Sequence, residues 1–303
     1  MNKLNLVVVI LTYNEELHIE RCIQSLVSVA SKIYIVDSFS TDRTVEIARA
    51  LGADVVQRNW KNYADQFQWG IDNCGSSYSW VMRMDADEYL EPSLQQELFR
   101  VLPSMPGDVS GLYIRRKVIF YGRWIRHGGF YPHVLLRVWR KGIGRIEQRW
   151  MDEHIVLPPQ SKTMMLQEHL VDDNLKGITF WINKHNSYAS REMVDLLNNK
   201  YLIFPRDDLI KANEDSQAKM KRLMKDRVYT NLPIGLRAAL YFFYRYVLRL
   251  GFLDGGKGFL WHFMQGFWYR LLVDIKIMEL EDRCRGDVSK MKKILSEEHG
   301  IIL

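Results

Sequence analysis

The sequence is poor in the residues that would place it in several large classes. Its three cysteines (Cys22, Cys74, Cys284) stand far apart, with no C-x-x-C pair. That excludes a disulfide framework and a zinc knuckle, and it fits a reducing compartment. With 8 prolines and 19 glycines in 303 residues, a collagen-like or low-complexity chain is excluded, and 47% hydrophobic residues with mixed charge exclude a disordered one. No uncharged apolar stretch reaches the roughly 20 residues of a membrane span. The N-terminal apolar run, Leu6 to Leu11, is too short for a signal-peptide core, and no small-residue cleavage site follows. The protein is therefore expected to be made and kept in the cytoplasm. No G-x-G-x-x-G fingerprint and no complete G-x-x-x-x-G-K-[ST] loop occurs, so a dinucleotide fold or a P-loop has no support.

What is present is unevenly spread. The net charge of +6 belongs to one segment, Lys219 to Lys257, which holds nine Lys/Arg against two Asp. Aromatics crowd the same region, with 12 of the 29 residues from Tyr241 to Tyr269 being Phe, Tyr or Trp.

The first hundred residues alternate strand and helix signals. Leu6–Leu11 (LVVVIL) reads as a strand buried on both faces. Ile19, Ile23, Leu26 and Val27 fall at helical spacing, and Ile33–Val36 forms a second strand. Asp42 is placed to cap a helix with Val45, Ala48 and Leu51 inward. Val55-Val56, a helix over Tyr63–Asn73 and a strand over Trp80–Met84 come next. This alternation predicts right-handed crossovers and a parallel sheet, with ligands bound beyond the carboxyl ends of the strands. After Pro103 and Pro106, longer strands (Leu112–Ile119, Val134–Trp139) predict a mixed-sheet half of the same domain. From about Thr179 the chain reads as helical, with helices over Pro233–Leu250 and 258–281 and a charged helix or tail at the end.

Three strand ends converge on one crevice: Thr12-Tyr13-Asn14-Glu15, Asp37, and Asp85-Ala86-Asp87. Two carboxylates two residues apart can share Mg²⁺ or Mn²⁺ through hard oxygen ligands and leave positions open for phosphate. An acidic helix-capping turn before Pro92 is the alternative for this tripeptide. His154, His169 and His185 fit no zinc spacing.

VVVILTYNEE, IYIVDSFSTDRT and WVMRMDADEYLEP resemble the three nucleotide-sugar-binding segments of family 2 glycosyltransferases with the GT-A fold, a mixed, mostly parallel α/β sheet flanked by helices. KHNSYA (184–189) and LRAALYFFYRYVLRLGFLDGGKGF extend the resemblance to the bacterial lipopolysaccharide-core glucosyltransferase subgroup. The resemblance implies a GT-A domain over 1–215, with a nucleotide-sugar half (1–105) and an acceptor half (106–215). It implies that Tyr13, Glu15 and Asp37 hold the donor nucleoside, that Asp85 and Asp87 hold the metal and diphosphate, and that Thr12, Ala86 and Lys184 also line the nucleotide-sugar site. Many relatives have a second acidic residue where Ser38 stands. Inversion needs one base. The subgroup usually has His-Glu where this chain has Asp152-Glu153, which makes Glu153 the candidate base and Asp152 its rival. Lys184 and Arg191 either help neutralise diphosphate or an anionic acceptor, or form a solvated helix face.

The segment 216–303 completes the reading. At 100° per residue, Arg237, Arg245 and Arg249 fall within about 120° of one another. With Trp261 and Trp268 they predict helices lying in an anionic membrane interface, peripheral to the cytoplasmic face. Core or oligomer packing would hide the same aromatics. Nucleic-acid binding would use the same residue types, but the small-molecule site in the N-terminal half argues against it. The expected activity is inverting transfer of a hexose, UDP-linked, to a hydroxyl of a lipid-linked glycan or lipopolysaccharide core. A polyprenyl-phosphate sugar synthase or a non-catalytic scaffold of the same fold are the alternatives.

Overall fold

The structure, a computed structural model, describes residues 3–147, 153–203 and 233–299. It contains two compact units that divide between Lys176 and Gly177.

The first unit is built on β1 (Leu4–Thr12), whose apolar run leaves no polar face. Leu6, Val8 and Ile10 enter one core with Ile19, Cys22, Ile23 and Leu26 of α1 (Ile19–Leu26). Val7 and Val9 enter a second core with Ala64, Phe67 and Ile71 of α3 (Tyr63–Asn73). Each such fully buried Val, Leu, Ile or Phe contributes about 1.5–3 kcal/mol. At Gly70 a Cβ would lie 2.9 Å from Val9 and 3.1 Å from Val36, so only glycine lets α3 approach the sheet this closely.

β2 (Ala30–Asp37), β3 (Asp54–Gln57) and β4 (Trp80–Asp85) run parallel to β1 in the order β3-β2-β1-β4. α2 (Thr44–Ala50) connects β2 to β3. Beyond β4 the nine-stranded sheet becomes mixed. β5 (Glu88–Leu90), β6 (Val109–Phe120), β7 (Arg123–Trp124), β8 (His133–Arg140) and β11 (Lys162–Asp173) complete it in the order β4-β8-β6-β11-β5, with β7 paired to β6. α4 (Pro92–Val101) covers this half with Leu94 and Leu98, and β9 (Arg145–Ile146) and β10 (Ile155–Val156) form a separate ribbon. The expected mixed sheet flanked by helices is thus present, and its C-terminal strands complete the same unit.

The second unit is helical. α5 (Ile178–Tyr201) packs on α8 (Tyr269–Cys284) through Ala189, Tyr269 and Val273. The helix expected over 233–250 is α6 (Leu236–Phe243) continued by a π turn, Tyr244–Leu248. The one expected over 258–281 divides into α7 (Gly255–His262), a second π turn (Phe263–Trp268) and α8. α9 (Val288–His299) is no solvated tail, because Met291, Ile294 and Leu295 are buried. The expected boundary near 215 lies outside the described residues. α5, which that boundary assigns to the N-terminal domain, belongs to the second unit.

Candidate active site

Strand register aligns the candidate residues. Thr12 pairs with Asp37 across β1–β2, and Leu11 with Asp85 across β1–β4, so three carboxyl ends lie in one row.

Asp37 is the hub of this row, and it is closed. It has no solvent exposure and accepts from the Thr12 hydroxyl (2.8 Å), the Ser40 hydroxyl (2.5 Å) and amide (2.9 Å), and Gln57 Nε2 (3.0 Å). Both oxygens are engaged within the protein, two donors on each. Its charge is spent joining the ends of β1, β2 and β3, and Thr12 is buried with it.

The loops on either side are cross-braced. Asn14 Oδ1 accepts from the Thr41 amide, Asp42 Oδ2 from the Glu16 amide, and Thr44 Oγ1 from the Glu15 amide. Glu15 receives Lys176 Nζ at 2.8 Å on one oxygen and His18 Nδ1 at 2.6 Å on the other. The Leu175 amide donates to His18 Nε2, which fixes the proton on Nδ1 facing Glu15. Tyr13, 58% exposed, presents its ring outward from the braced loop.

Asp85 sits in a cationic pocket. Its Oδ1 accepts from the Tyr63 hydroxyl (2.9 Å), its Oδ2 lies 3.3 Å from Arg137 Nη2, and Arg83 Nε stands 3.8 Å away. Burial pushes this carboxyl up, but Arg137, Arg83 and the Tyr63 hydroxyl outweigh it and hold it well below the usual carboxylate range. Glu88, the next acid after Asp87, is fully buried. Its Oε1 is 2.5 Å from Arg137 Nη2, and its Oε2 accepts the Asp85 amide at 2.9 Å. Burial raises its carboxyl above the ordinary value against the pull of Arg137, and the nearby Asp85 charge adds to the rise. Ala86 is buried between the two site acids, and Asp87 Oδ2 accepts from Asn174 Nδ2 at 2.9 Å.

Among the described residues no three His, Cys, Asp or Glu side chains gather into a metal cage. Mg²⁺ and Mn²⁺ are commonly held by one or two carboxylates together with substrate phosphates and water. The hard oxygens of Asp85 and Asp87 fit an ion that arrives with a diphosphate.

Glu153 is brought to this site through its backbone: its carbonyl accepts from Arg83 Nη1 at 2.8 Å, the same arginine that faces Asp85. Asp152 lies outside the described residues. Lys184 lies on α5 in the second unit, near the rings of Phe180 and Tyr188. Of the expected membrane-facing residues, Arg245 and Trp261 are buried and Arg237 is ion-paired with Asp274, which corrects their placement at a lipid surface. Burial even lowers the Arg245 guanidinium. Trp268 packs 5.9 Å from Trp181, and Arg249 is exposed.

Sequence reasoning missed Arg137, Glu88, Arg83 and Tyr63. A signal existed for Arg137, a cation set between Leu136 and Val138 in the middle of the strand HVLLRVWR, because a charge buried there requires a partner.

An uncharacterised glycosyltransferase of Rickettsia bellii is 36% identical over 124 residues, 41% of this chain and 42% of that protein. A lipopolysaccharide core biosynthesis glycosyltransferase of Rhizobium meliloti, LpsC, is 32% identical over 150 residues, 48% of this chain and 54% of that protein. The matches therefore span about half or less of these relatives. A solved mannosyltransferase of Pyrobaculum calidifontis, in complex with GDP-Man and Mn²⁺, covers 92% of this chain and 88% of its own at 12% identity and a TM-score of 0.49. Residues 7–172, which include every strand end of the row, match the model of glycosyl transferase family 2, and the chain belongs to that family.

Proposed function

We propose that the protein transfers a hexose, with inversion, from a UDP-linked donor to a hydroxyl of a lipid-linked glycan or lipopolysaccharide core. One observation carries the reading. The D-x-D acids end a strand in line with the donor-side loops, and Arg83 ties Glu153 to the same acid. The similarity to a protein named for lipopolysaccharide core biosynthesis supports the acceptor class.

The chemistry divides among the chain's own residues. Asp85 and Asp87 would hold a divalent cation, which supplies positive charge to a departing diphosphate. Arg137, Arg83 and the Tyr63 hydroxyl hold Asp85 ionised before any ligand arrives, and Glu88 fixes the Arg137 guanidinium and the Asp85 backbone amide. The exposed Tyr13 ring offers a stacking surface to the donor base. Glu153 takes the proton of the acceptor hydroxyl as its oxygen bonds to C1 of the sugar, while the bond from C1 to the phosphate oxygen breaks and the nucleoside diphosphate leaves. A single displacement of this kind leaves the opposite anomer and needs no covalent intermediate.

Calorimetric titration of UDP and of GDP, with and without Mn²⁺, tests the donor site. Metal-dependent binding of UDP, lost in Asp85→Ala, is expected. Binding of GDP alone would move the donor class, and binding of neither would overturn the site.

A further inference from the structure

The second unit leaves a large apolar surface open. Between residues 233 and 263, thirteen large apolar side chains are exposed. Monomeric soluble proteins seldom leave contiguous apolar patches of more than a few hundred Å² uncovered.

The segment is a helical hairpin. α6 with its π turn packs against α7 with its own π turn, Phe259 lying 6.1 Å from Phe242 and 5.4 Å from Tyr246 between ring centroids. At the closed end Val247, Leu248, Leu250, Phe252 and Leu253 all face outward, Leu248 at 62% exposure. This end is a packed turn. Asp254 and His262 are buried together, a Cβ on Gly251 would lie 2.8 Å from the His262 ring, and one on Gly258 would lie 2.3 Å from Asp254 Cβ. Leu250 is held at φ +61°, a left-handed conformation that disfavours a branched apolar side chain and yet displays one.

Among the described residues 233–263 the exposed charges are of one sign. Arg249 and Lys257 are exposed, Arg245 is buried, Arg237 is paired with Asp274, and the segment's one acid, Asp254, is buried. Among the described residues no helix is long and apolar enough to cross a membrane.

We propose that the closed end of this hairpin seats in the headgroup boundary of an anionic lipid bilayer, with Leu248, Phe252 and Leu253 entering the acyl edge and Arg249 and Lys257 meeting the phosphates. Apolar residues framed by exposed cations, with no exposed acid among the described residues of the segment, match a negatively charged leaflet in both its layers. The surface differs from the arginine face expected from the helical wheel, since Arg237 and Arg245 are turned inward. It rests on residues of the second unit alone, so its failure would leave the transferase reading intact.

The test uses the full chain, sedimented with vesicles of phosphatidylcholine alone or mixed with phosphatidylglycerol, with light scattering on the same samples. Wild type should bind the mixed vesicles more tightly. Arg249→Gln with Lys257→Gln should weaken that binding about 25-fold, at about fivefold per cation. Leu248→Ser with Leu253→Ser should weaken binding to both vesicle types by about tenfold or more. These positions are exposed, so circular dichroism should stay unchanged. Absence of vesicle binding, or binding that neither pair weakens, would overturn the proposal. So would a stable dimer that the leucine pair dissolves while vesicle binding is unaffected.

Discussion

Arg137 stands between two carboxylates, its Nη2 2.5 Å from Glu88 Oε1 and 3.3 Å from Asp85 Oδ2. Only 2% of Arg137 is exposed and Glu88 is buried, so this pair cannot be balanced by solvent. Removing Glu88 takes away the nearer of the two carboxylates and leaves only Asp85, 3.3 Å off, to face the buried cation. Glu88→Ala should therefore lower stability by about 3–5 kcal/mol, measured by denaturant unfolding. Arg137→Met combined with Glu88→Met should recover part of that loss, because it removes the closest pair while Asp85 keeps the Tyr63 hydroxyl and Arg83. Equal destabilisation in the double variant would show that the pair is not the cause.

Glu153 can be separated from its surroundings by the way activity fails. Glu153→Gln keeps the backbone carbonyl that Arg83 uses. It should cut kcat by about 10²–10⁴-fold with UDP affinity unchanged. Near wild-type turnover would move the base role to Asp152 or favour an acceptor that is already anionic.

Asp37 predicts a fold defect rather than a binding defect. Asp37→Asn replaces one acceptor oxygen with an amide facing the donors from Thr12, Ser40 or Gln57. A loss of about 2–4 kcal/mol is expected in unfolding, since buried donors are left facing donors. A stable variant that no longer binds nucleotide would favour the direct-contact role.

His185 and His133 set an acid limit on stability. His185 is stacked on Trp181, with Nδ1 on the Trp181 carbonyl and Nε2 on Gln265. Burial pushes both histidines down to about 4, with neighbouring cations adding to the shift. A histidine pKa lower in the folded state means that the unfolded chain binds more protons between about 6.5 and 4. Stability is then complete above about pH 6.5 and is lost as the pH falls through about 4. Thermal unfolding across this range should show the decline, and His185→Gln should flatten its part of it. An unchanged slope in that variant would assign the decline elsewhere.

Much of the first unit was legible because its signals are local. LVVVIL has no polar face, so its strand must be covered on both sides, and the spacing of Ile19, Ile23 and Leu26 shows which face of α1 turns inward. The D-x-D acids were legible from their spacing after an apolar strand. Their controls were not, because Arg137 reaches Asp85 from 52 residues away through the β4–β8 pairing. Nor could the sequence show that Asp37 is sealed, since four donors from three segments close it. The helical-wheel grouping of Arg249 with Arg237 and Arg245 failed for another reason: those two turn inward while Arg249 is exposed. It assumes an unbroken α-helix, whereas the π turn at Tyr244–Leu248 changes the residues per turn and rotates the side chains from there onward.

Because consecutive side chains of β1 go to opposite cores, the strand has a parity. Deleting or inserting one residue between Leu6 and Ile10 would send each apolar side chain to the core shaped for its neighbour. The same slip would carry Thr12 out of line with Asp37 and Leu11 out of line with Asp85. Whatever keeps this strand in frame for folding also keeps the acids in frame for chemistry. Single-residue length changes there should be excluded by two independent selections, while substitutions that preserve volume meet only one.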